Sequence, residues 1–311
     1  MINLRVKGKG TISKSTVHGI FVPMVTPFKG VDATEINFQA IAKLTNYLVE
    51  GGVHGLMPLG TSGEFGMLDR EERRRVVEAV VKSTRGRLPV VAGVCSSGTD
   101  NSIKFAKDAE RARADAVIST GPYYYKTTSE GLLRHFQSIL ESTDLPLMIY
   151  NIPGWVGYNI PADVVFLLAK KNPGRVLGVK FTSSDMSEFQ KYLTLLKDET
   201  SVMIGSDSLI FSALELGAAG AIVGSANVLP KETSEVYESF VHGDVNRSRK
   251  VQEMIYPFSV SMNLGTFPSA LKEAMRMIGI DCGSARRPLL PLSASERSEV
   301  KKSLAWKMKR S

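Results

Sequence analysis

Short apolar runs alternate with longer amphipathic stretches along most of this chain, and this alternation constrains the fold more than any other feature. The apolar runs predict eight buried strands, at Ile20–Val25, Gly55–Leu59, Leu88–Gly93, Ala116–Ser119, Leu145–Tyr150, Val176–Lys180, Val202–Gly205 and Gly220–Val223. Helical periodicity fills most of the intervals, at Thr34–Glu50, Asp69–Thr84, Asp100–Ala114, Ser129–Ser142, Pro161–Lys171, Met186–Leu196 and Ser208–Leu216. Such alternation is typical of a parallel sheet. Eight units in about 210 residues favour a closed (β/α)8 barrel over an open doubly wound sheet.

Polar residues and glycines at the predicted helix ends support the same division. Asp69, Ser129 and Asp185 each precede an acidic residue within the next three positions, a pattern typical of helix N-termini. Gly51 and Gly217 follow helical stretches, where glycine commonly ends a helix. These signals indicate that helices and strands alternate as separate elements.

The strand pattern ends near Pro230, and the rest of the chain predicts helices. Residues 231–280 indicate two or three helices, including Lys272–Ile278. An extended segment at Arg286–Pro291 precedes a last predicted helix at Ala294–Lys309. The sequence therefore predicts an α/β protein in three parts: a basic N-terminal tail at 1–18, a (β/α)8 TIM barrel at 19–230 and a C-terminal helical appendage at 231–311 packed on the barrel.

The net charge of +8 lies at the two ends of the chain and not on its body. Residues 1–18 carry +4 and residues 297–311 carry +5, so that residues 19–296 sum to −1. A nucleic-acid-binding protein should carry a basic stripe on its folded body, whereas charged ends of this kind are typical of solvated tails. We therefore expect no nucleic-acid partner.

Targeting signals and cysteine usage predict a cytoplasmic protein. No apolar stretch approaches the ~20 residues that a membrane-spanning helix needs, so we expect no membrane partner. The first 18 residues lack the apolar core of a secretory leader. Cys95 and Cys282 lie far apart without a Cys-x-x-Cys spacing, which indicates free thiols in a reducing compartment.

Lys180 ends the apolar run Val176–Lys180, which is a costly position for a charged group. Burial disfavours the ammonium form of a lysine, and a neutral amine is a nucleophile that forms a Schiff base with a carbonyl substrate. A lysine at the end of an exposed edge strand, with its amine in water, is the other interpretation of this segment.

Functional residues of a (β/α)8 barrel lie at the C-terminal ends of its strands. Those ends hold a lysine, tyrosines, hydroxyl groups and glycines: Thr26, Thr61, Ser62, Gly93, Tyr123, Tyr124, Tyr125, Tyr150, Lys180, Thr182, Gly205, Asp207 and Ser225. The four histidines lie elsewhere, and no His-Glu-x-x-His motif or convergent ligand set predicts a metal site. No Gly-x-Gly-x-x-Gly opens the first unit, which disfavours a dinucleotide fold. A Schiff-base mechanism, in contrast, has both a nucleophile and a candidate proton carrier.

The segment Gly60-Thr61-Ser62-Gly63 allows three interpretations. The hydroxyl and N–H groups of Thr61 and Ser62 suit a carboxylate, as in the anion sites of helix N-termini and backbone nests. The spacing of Gly60, Gly63 and Gly66 also fits a phosphate loop, although no P-loop lysine follows. The third interpretation is a turn without a functional role.

Four segments occur together in a specific order and spacing: Gly60-Thr61-Ser62-Gly63-Glu64, Pro122-Tyr123-Tyr124, Tyr150-Asn151-Ile152-Pro153 and Gly178-Val179-Lys180. In these segments the chain resembles the dihydrodipicolinate synthase / N-acetylneuraminate lyase superfamily of pyruvate-dependent class I aldolases and lyases. Its site pattern is most similar to that of the 2-keto-3-deoxy sugar acid aldolases. The match covers about Gly19 to Pro291. It implies small-molecule substrates (pyruvate or a 2-keto acid, and an aldehyde), no cofactor, and a homotetramer that is a dimer of dimers.

The resemblance implies three catalytic residues. Lys180 resembles the Schiff-base lysine, whose iminium acts as the electron sink for the carbon–carbon bond. Tyr150 resembles the general acid/base, which requires its phenol to lie close to the reacting oxygen. Tyr124 resembles a tyrosine that reaches across a dimer interface into the neighbour's proton relay. Both tyrosines also have an interpretation without a catalytic role. Tyr150 could cap the core, and Tyr124 could serve only to pack the interface.

The resemblance also implies substrate-binding positions. Thr61 and Ser62 match the residues that hold the carboxylate, and Thr182 could hold a substrate hydroxyl. The backbone carbonyl of Ile222 matches one that faces the site. Gly205 and Asp207 lie at the strand end where neuraminate lyases favour an acidic pair that holds a polyol tail. Because only Asp207 is acidic here, a small aldehyde fragment such as glyceraldehyde is expected.

Trp155 stands where the synthase branch places an arginine that binds the carboxylate of aspartate semialdehyde. An indole cannot supply a bidentate cationic clamp, although Trp155 could also be a loop anchor on the barrel rim. We therefore expect reversible cleavage of a 2-keto-3-deoxy sugar acid to pyruvate and an aldehyde. Condensation of pyruvate with aspartate semialdehyde, the dihydrodipicolinate synthase reaction, is the alternative. A non-catalytic barrel that binds a keto acid is a second alternative.

Overall fold

Eight short strands form one parallel sheet in the computed structural model, which describes residues 17–30, 33–197 and 199–308. The strands are Gly19–Pro23 (β1), Gly55–Met57 (β2), Val91–Gly93 (β3), Ala116–Thr120 (β4), Leu147–Asn151 (β5), Val176–Phe181 (β6), Ser201–Ile204 (β7) and Gly220–Ile222 (β8). All of their residues are buried. Apolar runs without alternation thus form strands that are covered on both faces.

The order of the strands makes the sheet a closed ring. Neighbours run β2-β1-β8-β7-β6-β5-β4-β3, and each pair is parallel. A parallel bridge between Leu56 and Val90 joins the two ends of this order. The backbone N–H of Leu56 donates to the carbonyl of Pro89 at 2.9 Å there. The prediction of a (β/α)8 TIM barrel is therefore confirmed.

Helices follow the strands and surround the ring. Those up to the last strand are Phe38–Glu50 (α1), Arg70–Thr84 (α2), Thr99–Arg111 (α3), Ser129–Glu141 (α4), Pro153–Val156 (α5), Ala162–Lys171 (α6), Met186–Leu196 (α7) and Ile210–Glu215 (α8). After β8 come Pro230–Val241 (α9), Val245–Ser261 (α10), Ser269–Met277 (α11), Ala294–Ser303 (α12) and Ala305–Met308 (α13). Short 3-10 helices lie at Phe65–Met67, Asp207–Leu209 and Gly224–Asn227.

The helix starts follow the predicted caps with one correction. The side chains of Asp69 and Asp185 cap α2 and α7. Ser129 was expected to precede α4 but lies inside it, and the cap is Thr128, whose Oγ1 accepts from the Gly131 N–H at 3.1 Å. Two adjacent hydroxyl residues both suit this position, so the sequence leaves the boundary uncertain by one residue.

The helices after β8 contact the barrel, as predicted. Helix α9 packs against β1 and α8, and α10 packs against α9. Helix α11 contributes Lys272, whose buried amine lies 2.6 Å from the carboxylate of Glu64 in the loop after β2. The Arg286 backbone N–H donates to the same carboxylate at 2.7 Å. The C-terminal segment thereby reaches the mouth of the barrel, while the domain division at 230 stays a prediction.

The predicted basic tail at 1–18 lies outside the described residues except for Val17 and His18. Both cysteines are buried free thiols, as predicted. In the three described ranges, no helix combines the length and the apolar character needed to cross a membrane.

Candidate active site

The side chain of Lys180 lies inside the barrel. It is 3 % exposed, and its position on β6 is in register with Tyr150 on β5 and Met203 on β7. Tyr150 and Met203 belong to the apolar cluster of the barrel interior. The amine Nζ lies 4.1 Å from the centroid of the Tyr150 ring. Because β6 lies between two other strands and its lysine is buried, the interpretation as a solvated edge lysine is wrong.

Tyr150 connects this lysine to the loop after β2. Its phenol oxygen lies 3.2 Å from the hydroxyl of Thr61, close enough for a hydrogen bond in which either group can donate. A phenol that shares a proton with a hydroxyl and lies beside an amine can carry a proton between substrate and solvent. The structure thus brings together three of the predicted residues, Lys180, Tyr150 and Thr61.

Backbone geometry fixes the loop that carries Thr61 and Ser62. Leu59 and Glu64, on either side, have the positive φ angles of 63° and 54°, which are uncommon for residues with a side chain. The hydroxyl of Thr26 donates to the Gly63 carbonyl at 2.7 Å. Ser62 is buried within this loop. A role for Ser62 in binding a carboxylate stays a prediction.

Thr182 and Gly205 lie on the other side of the lysine. A Cβ atom at Gly205 would stand 1.9 Å from the Thr182 hydroxyl oxygen and 3.1 Å from Cε of Lys180. A side chain at this position would therefore force Thr182 to move and would crowd Lys180. The Thr182 hydroxyl is buried without a hydrogen-bond partner among the described residues, which leaves it available to a ligand.

Asp207 is buried at the start of the 3-10 helix after β7. Its Oδ1 accepts from the backbone N–H of Ser225 at 2.6 Å. Burial raises the pKa of this carboxyl, and the hydrogen bonds from Ser225 and the nearby charge of Lys180 oppose that rise. The carboxylate thus joins the loops after β7 and β8, and its predicted contact with a substrate stays untested.

Tyr124 does not share the buried environment of the other predicted catalytic residues. Its side chain is 86 % exposed, its φ angle is 78°, and its ring makes an edge-to-face contact with Tyr125 at 5.0 Å. A positive φ turns this tyrosine away from the ordinary strand path. Its role in a neighbour's proton relay stays a prediction.

Ile222 lies on β8 inside the barrel, in the same apolar cluster as Tyr150. Two further residues of this interior were not among the predicted site residues. Cys95 is buried two residues after β3, beside the hydroxyl of Thr120, and burial raises the pKa of its thiol. Thr120 is the last residue of β4. Both follow the strand-end rule that indicated Lys180, which could have identified them.

A cavity of about 290 Å³ opens beside Thr61 at the mouth of the barrel. Its wall is mostly apolar: Thr61, Glu64, Phe65, Gly66, Met67, Thr120, Tyr123, Ile152, Trp155, Val156, Phe267, Pro268 and Leu289. Trp155 on α5 contacts Phe267 edge to face at 6.1 Å. The C-terminal segment thus forms part of the site, although no sequence signal had pointed to it.

No metal site accompanies this arrangement in the described residues, which contain no group of three or more His, Cys, Asp or Glu side chains placed to hold an ion. The described side chains that meet in the site include the amine of Lys180, the phenol of Tyr150 and the hydroxyl of Thr61.

Comparison with known proteins assigns the chain to a family. The Dihydrodipicolinate synthetase family matches residues 16–307. The chain is 36 % identical over 282 residues to a 4-hydroxy-tetrahydrodipicolinate synthase of Thermodesulfovibrio yellowstonii, covering 91 % of this chain and 95 % of that protein. It is 34 % identical over 279 residues to a 4-hydroxy-tetrahydrodipicolinate synthase of Methanocaldococcus jannaschii. That match covers 90 % of this chain and 94 % of the relative.

Solved structures agree with this assignment. A dihydrodipicolinate synthase superposes with a TM-score of 0.89 at 33 % identity, covering 93 % of this chain and 99 % of that one. The dihydrodipicolinate synthase of Aquifex aeolicus superposes with a TM-score of 0.89 at 30 % identity. That match covers 93 % of this chain and 98 % of the other.

A buried lysine next to a tyrosine in a (β/α)8 barrel fits a class I aldolase, an enzyme that forms or breaks carbon–carbon bonds through a lysine Schiff base. The chain belongs to the dihydrodipicolinate synthetase family of such enzymes. The resemblance found in the sequence is confirmed, and with it the expectation of a carbon–carbon lyase. The alternative of a non-catalytic barrel gains no support from these relatives.

Proposed function

We propose that this chain is a pyruvate-dependent aldolase in which Lys180 captures the keto carbon of pyruvate. The observation that carries the proposal is the position of the Lys180 amine, buried and 4.1 Å from the Tyr150 ring centroid. A lysine amine inside the barrel can form a Schiff base with the carbonyl carbon of a substrate that enters there. Tyr150 and Thr61, joined at 3.2 Å, supply the path for the protons that imine formation and bond formation require.

Two candidate reactions share pyruvate and differ in the second substrate. The names of the relatives favour 4-hydroxy-tetrahydrodipicolinate synthesis, in which pyruvate condenses with aspartate semialdehyde. Cleavage of a 2-keto-3-deoxy sugar acid, the first expectation from the sequence, has less support from them. Its remaining support is the tryptophan at position 155 in place of an arginine, and the unpartnered hydroxyl of Thr182.

Trapping of the imine tests the shared chemistry. Borohydride reduction in the presence of pyruvate should add one pyruvate-derived mass label to the peptide that contains Lys180. Lys272 is an internal control, because it is equally buried but holds an ion pair with Glu64. A label on Lys272, no label on the wild type, or an undiminished label on Lys180→Ala would contradict the proposal.

A cytoplasmic location and a homotetramer are further parts of the proposal. Two buried free thiols, Cys95 and Cys282, support a reducing compartment. The exposed rings of Tyr124 and Tyr125 support a subunit interface, since exposed aromatic pairs commonly mark contact surfaces. Light scattering on the protein eluted from a size-exclusion column measures the mass of the assembly and so tests the tetramer.

A further inference from the structure

The cavity beside Thr61 shares residues with the apolar cluster of the barrel interior in which the lysine lies. Ile152 belongs to the same apolar cluster as Tyr150, and Phe65 and Val156 pack against that cluster. All three also line the cavity. Thr61 lines it as well and lies 3.2 Å from the Tyr150 phenol. A molecule in this cavity would therefore contact Thr61, the hydrogen-bond partner of the tyrosine beside Lys180.

The wall of this cavity has no cation to offer. Among the described residues that line it, none is lysine, arginine or histidine. Its one carboxylate, Glu64, pairs with Lys272 and accepts from the Arg286 N–H. A bound carboxylate would lose its water without gaining a partner charge. Besides the paired Glu64, the side chains of the wall offer a polyol only the hydroxyl groups of Thr61, Thr120 and Tyr123.

Aromatic rings form much of the wall. Trp155 and Phe267 make one edge-to-face pair at 6.1 Å, and Phe65 and Tyr123 make another, also at 6.1 Å. Flat apolar molecules gain most from such surroundings, because rings pack against rings in edge-to-face or offset geometry. The volume of about 290 Å³ suits a small ligand.

We propose that this cavity receives the aldehyde that reacts with pyruvate, and that it selects an apolar aldehyde, above all an aromatic one. The inference rests on the proposed function and names its second substrate. The preference for an apolar aldehyde comes from the uncharged side chains of the wall, which include Trp155, Val156, Phe65 and Phe267.

The reaction balances without an oxidant, a reductant or a further reactant. The Lys180 amine adds to C2 of pyruvate and water leaves, which gives an iminium. Loss of a proton from C3 gives an enamine, and C3 forms a bond with the aldehyde carbon. The aldehyde oxygen takes a proton through Tyr150. Water then hydrolyses the iminium and releases a 4-hydroxy-2-oxo acid with the free lysine.

The test compares three aldehydes with the full-length enzyme at saturating pyruvate: benzaldehyde, glyceraldehyde and aspartate semialdehyde. We expect kcat/KM for benzaldehyde to exceed that for each polar aldehyde by about tenfold or more, the scale on which an uncompensated polar group is rejected. An equal or higher value for either polar aldehyde would overturn the inference. So would the absence of turnover with all three when pyruvate labels Lys180.

A charge introduced at the cavity sharpens the test. Trp155→Arg should lower kcat/KM for benzaldehyde and raise it for aspartate semialdehyde, changing their ratio by about tenfold or more. Tyr256 on α10 is also an exposed aromatic residue, so Tyr256→Arg is the matched control and should leave the ratio unchanged. An unchanged ratio in Trp155→Arg contradicts the inference. Borohydride labelling of Lys180 is measured separately, so a failure of the proposed function itself is recognised by a missing label.

Discussion

The amine of Lys272 and the carboxylate of Glu64 form an ion pair of 2.6 Å that joins helix α11 to the loop carrying Thr61. Both side chains are almost fully buried, and the Lys272 amine also donates to the Ser284 carbonyl at 3.0 Å. Burial lowers the pKa of Lys272, and the charge of Glu64 opposes that shift. A contact outside the ring of strands thus holds a loop of the active site in place.

Removing one partner of this pair should destabilise the protein strongly. Lys272→Met leaves the Glu64 carboxylate buried without its counter-charge, which typically costs about 3–5 kcal/mol. Urea unfolding should show this loss as a lower midpoint. The double variant Glu64→Gln/Lys272→Met should lose less than the sum of the two single variants. Lys29→Met, at the exposed pair with Glu35, is the control and should barely move the midpoint. A midpoint for Lys272→Met that equals the control would contradict the role of the pair.

Gly205 should tolerate no side chain. Its Cβ would overlap the Thr182 hydroxyl and crowd the Lys180 side chain, so Gly205→Ala should displace the lysine. We expect labelling of Lys180 by pyruvate and borohydride to fall by about a hundredfold, since small displacements of reacting groups cost that much. Gly98→Ala is the control, because a Cβ there meets no atom within 4 Å. Full labelling of Gly205→Ala would show that the close packing around Lys180 is unimportant.

The strands and the residues that follow them could be predicted from the sequence, because local apolar runs determine both. Lys180 and Tyr150 were identified in this way, and the structure places them in register on neighbouring strands. The cavity wall could not be predicted. Phe267 reaches Trp155 only through the packing of the C-terminal helices on the barrel, a contact between residues more than a hundred positions apart, for which a single sequence carries no signal. The hydrogen bond of Asp207 to Ser225 likewise depends on the meeting of two loops.

Tyr150→Phe should separate imine formation from turnover. The variant keeps the ring beside Lys180 but removes the hydroxyl that lies 3.2 Å from Thr61. Loss of a positioned proton carrier typically costs about 10²–10⁴-fold in rate. We therefore expect kcat to fall in that range while borohydride still labels Lys180 after long incubation with pyruvate. Thr61→Val tests the same relay from its other end and should lower kcat less. A kcat for Tyr150→Phe within twofold of the wild type would remove Tyr150 from the proposed mechanism.

His135 on α4 should make the fold sensitive to acid. Burial lowers the pKa of His135 to about 4, while a hydrogen bond from the imidazole to the Thr120 backbone acts in the opposite direction. Its Nδ1 lies 3.0 Å from the Thr99 hydroxyl. Because the unfolded chain binds a proton near the ordinary pKa of ~6.5 and the native state does not, stability should be lost as the pH falls from about 6.5 towards 4.

The contribution amounts to about 3 kcal/mol, as an order of magnitude, and unfolding in urea at pH 7, 5.5 and 4 measures it. His135→Gln should lower stability at pH 7 but flatten its fall towards pH 4 relative to the wild type. An equal slope in His135→Gln and the wild type would mean that the native state accepts a proton on this histidine as readily as the unfolded chain does.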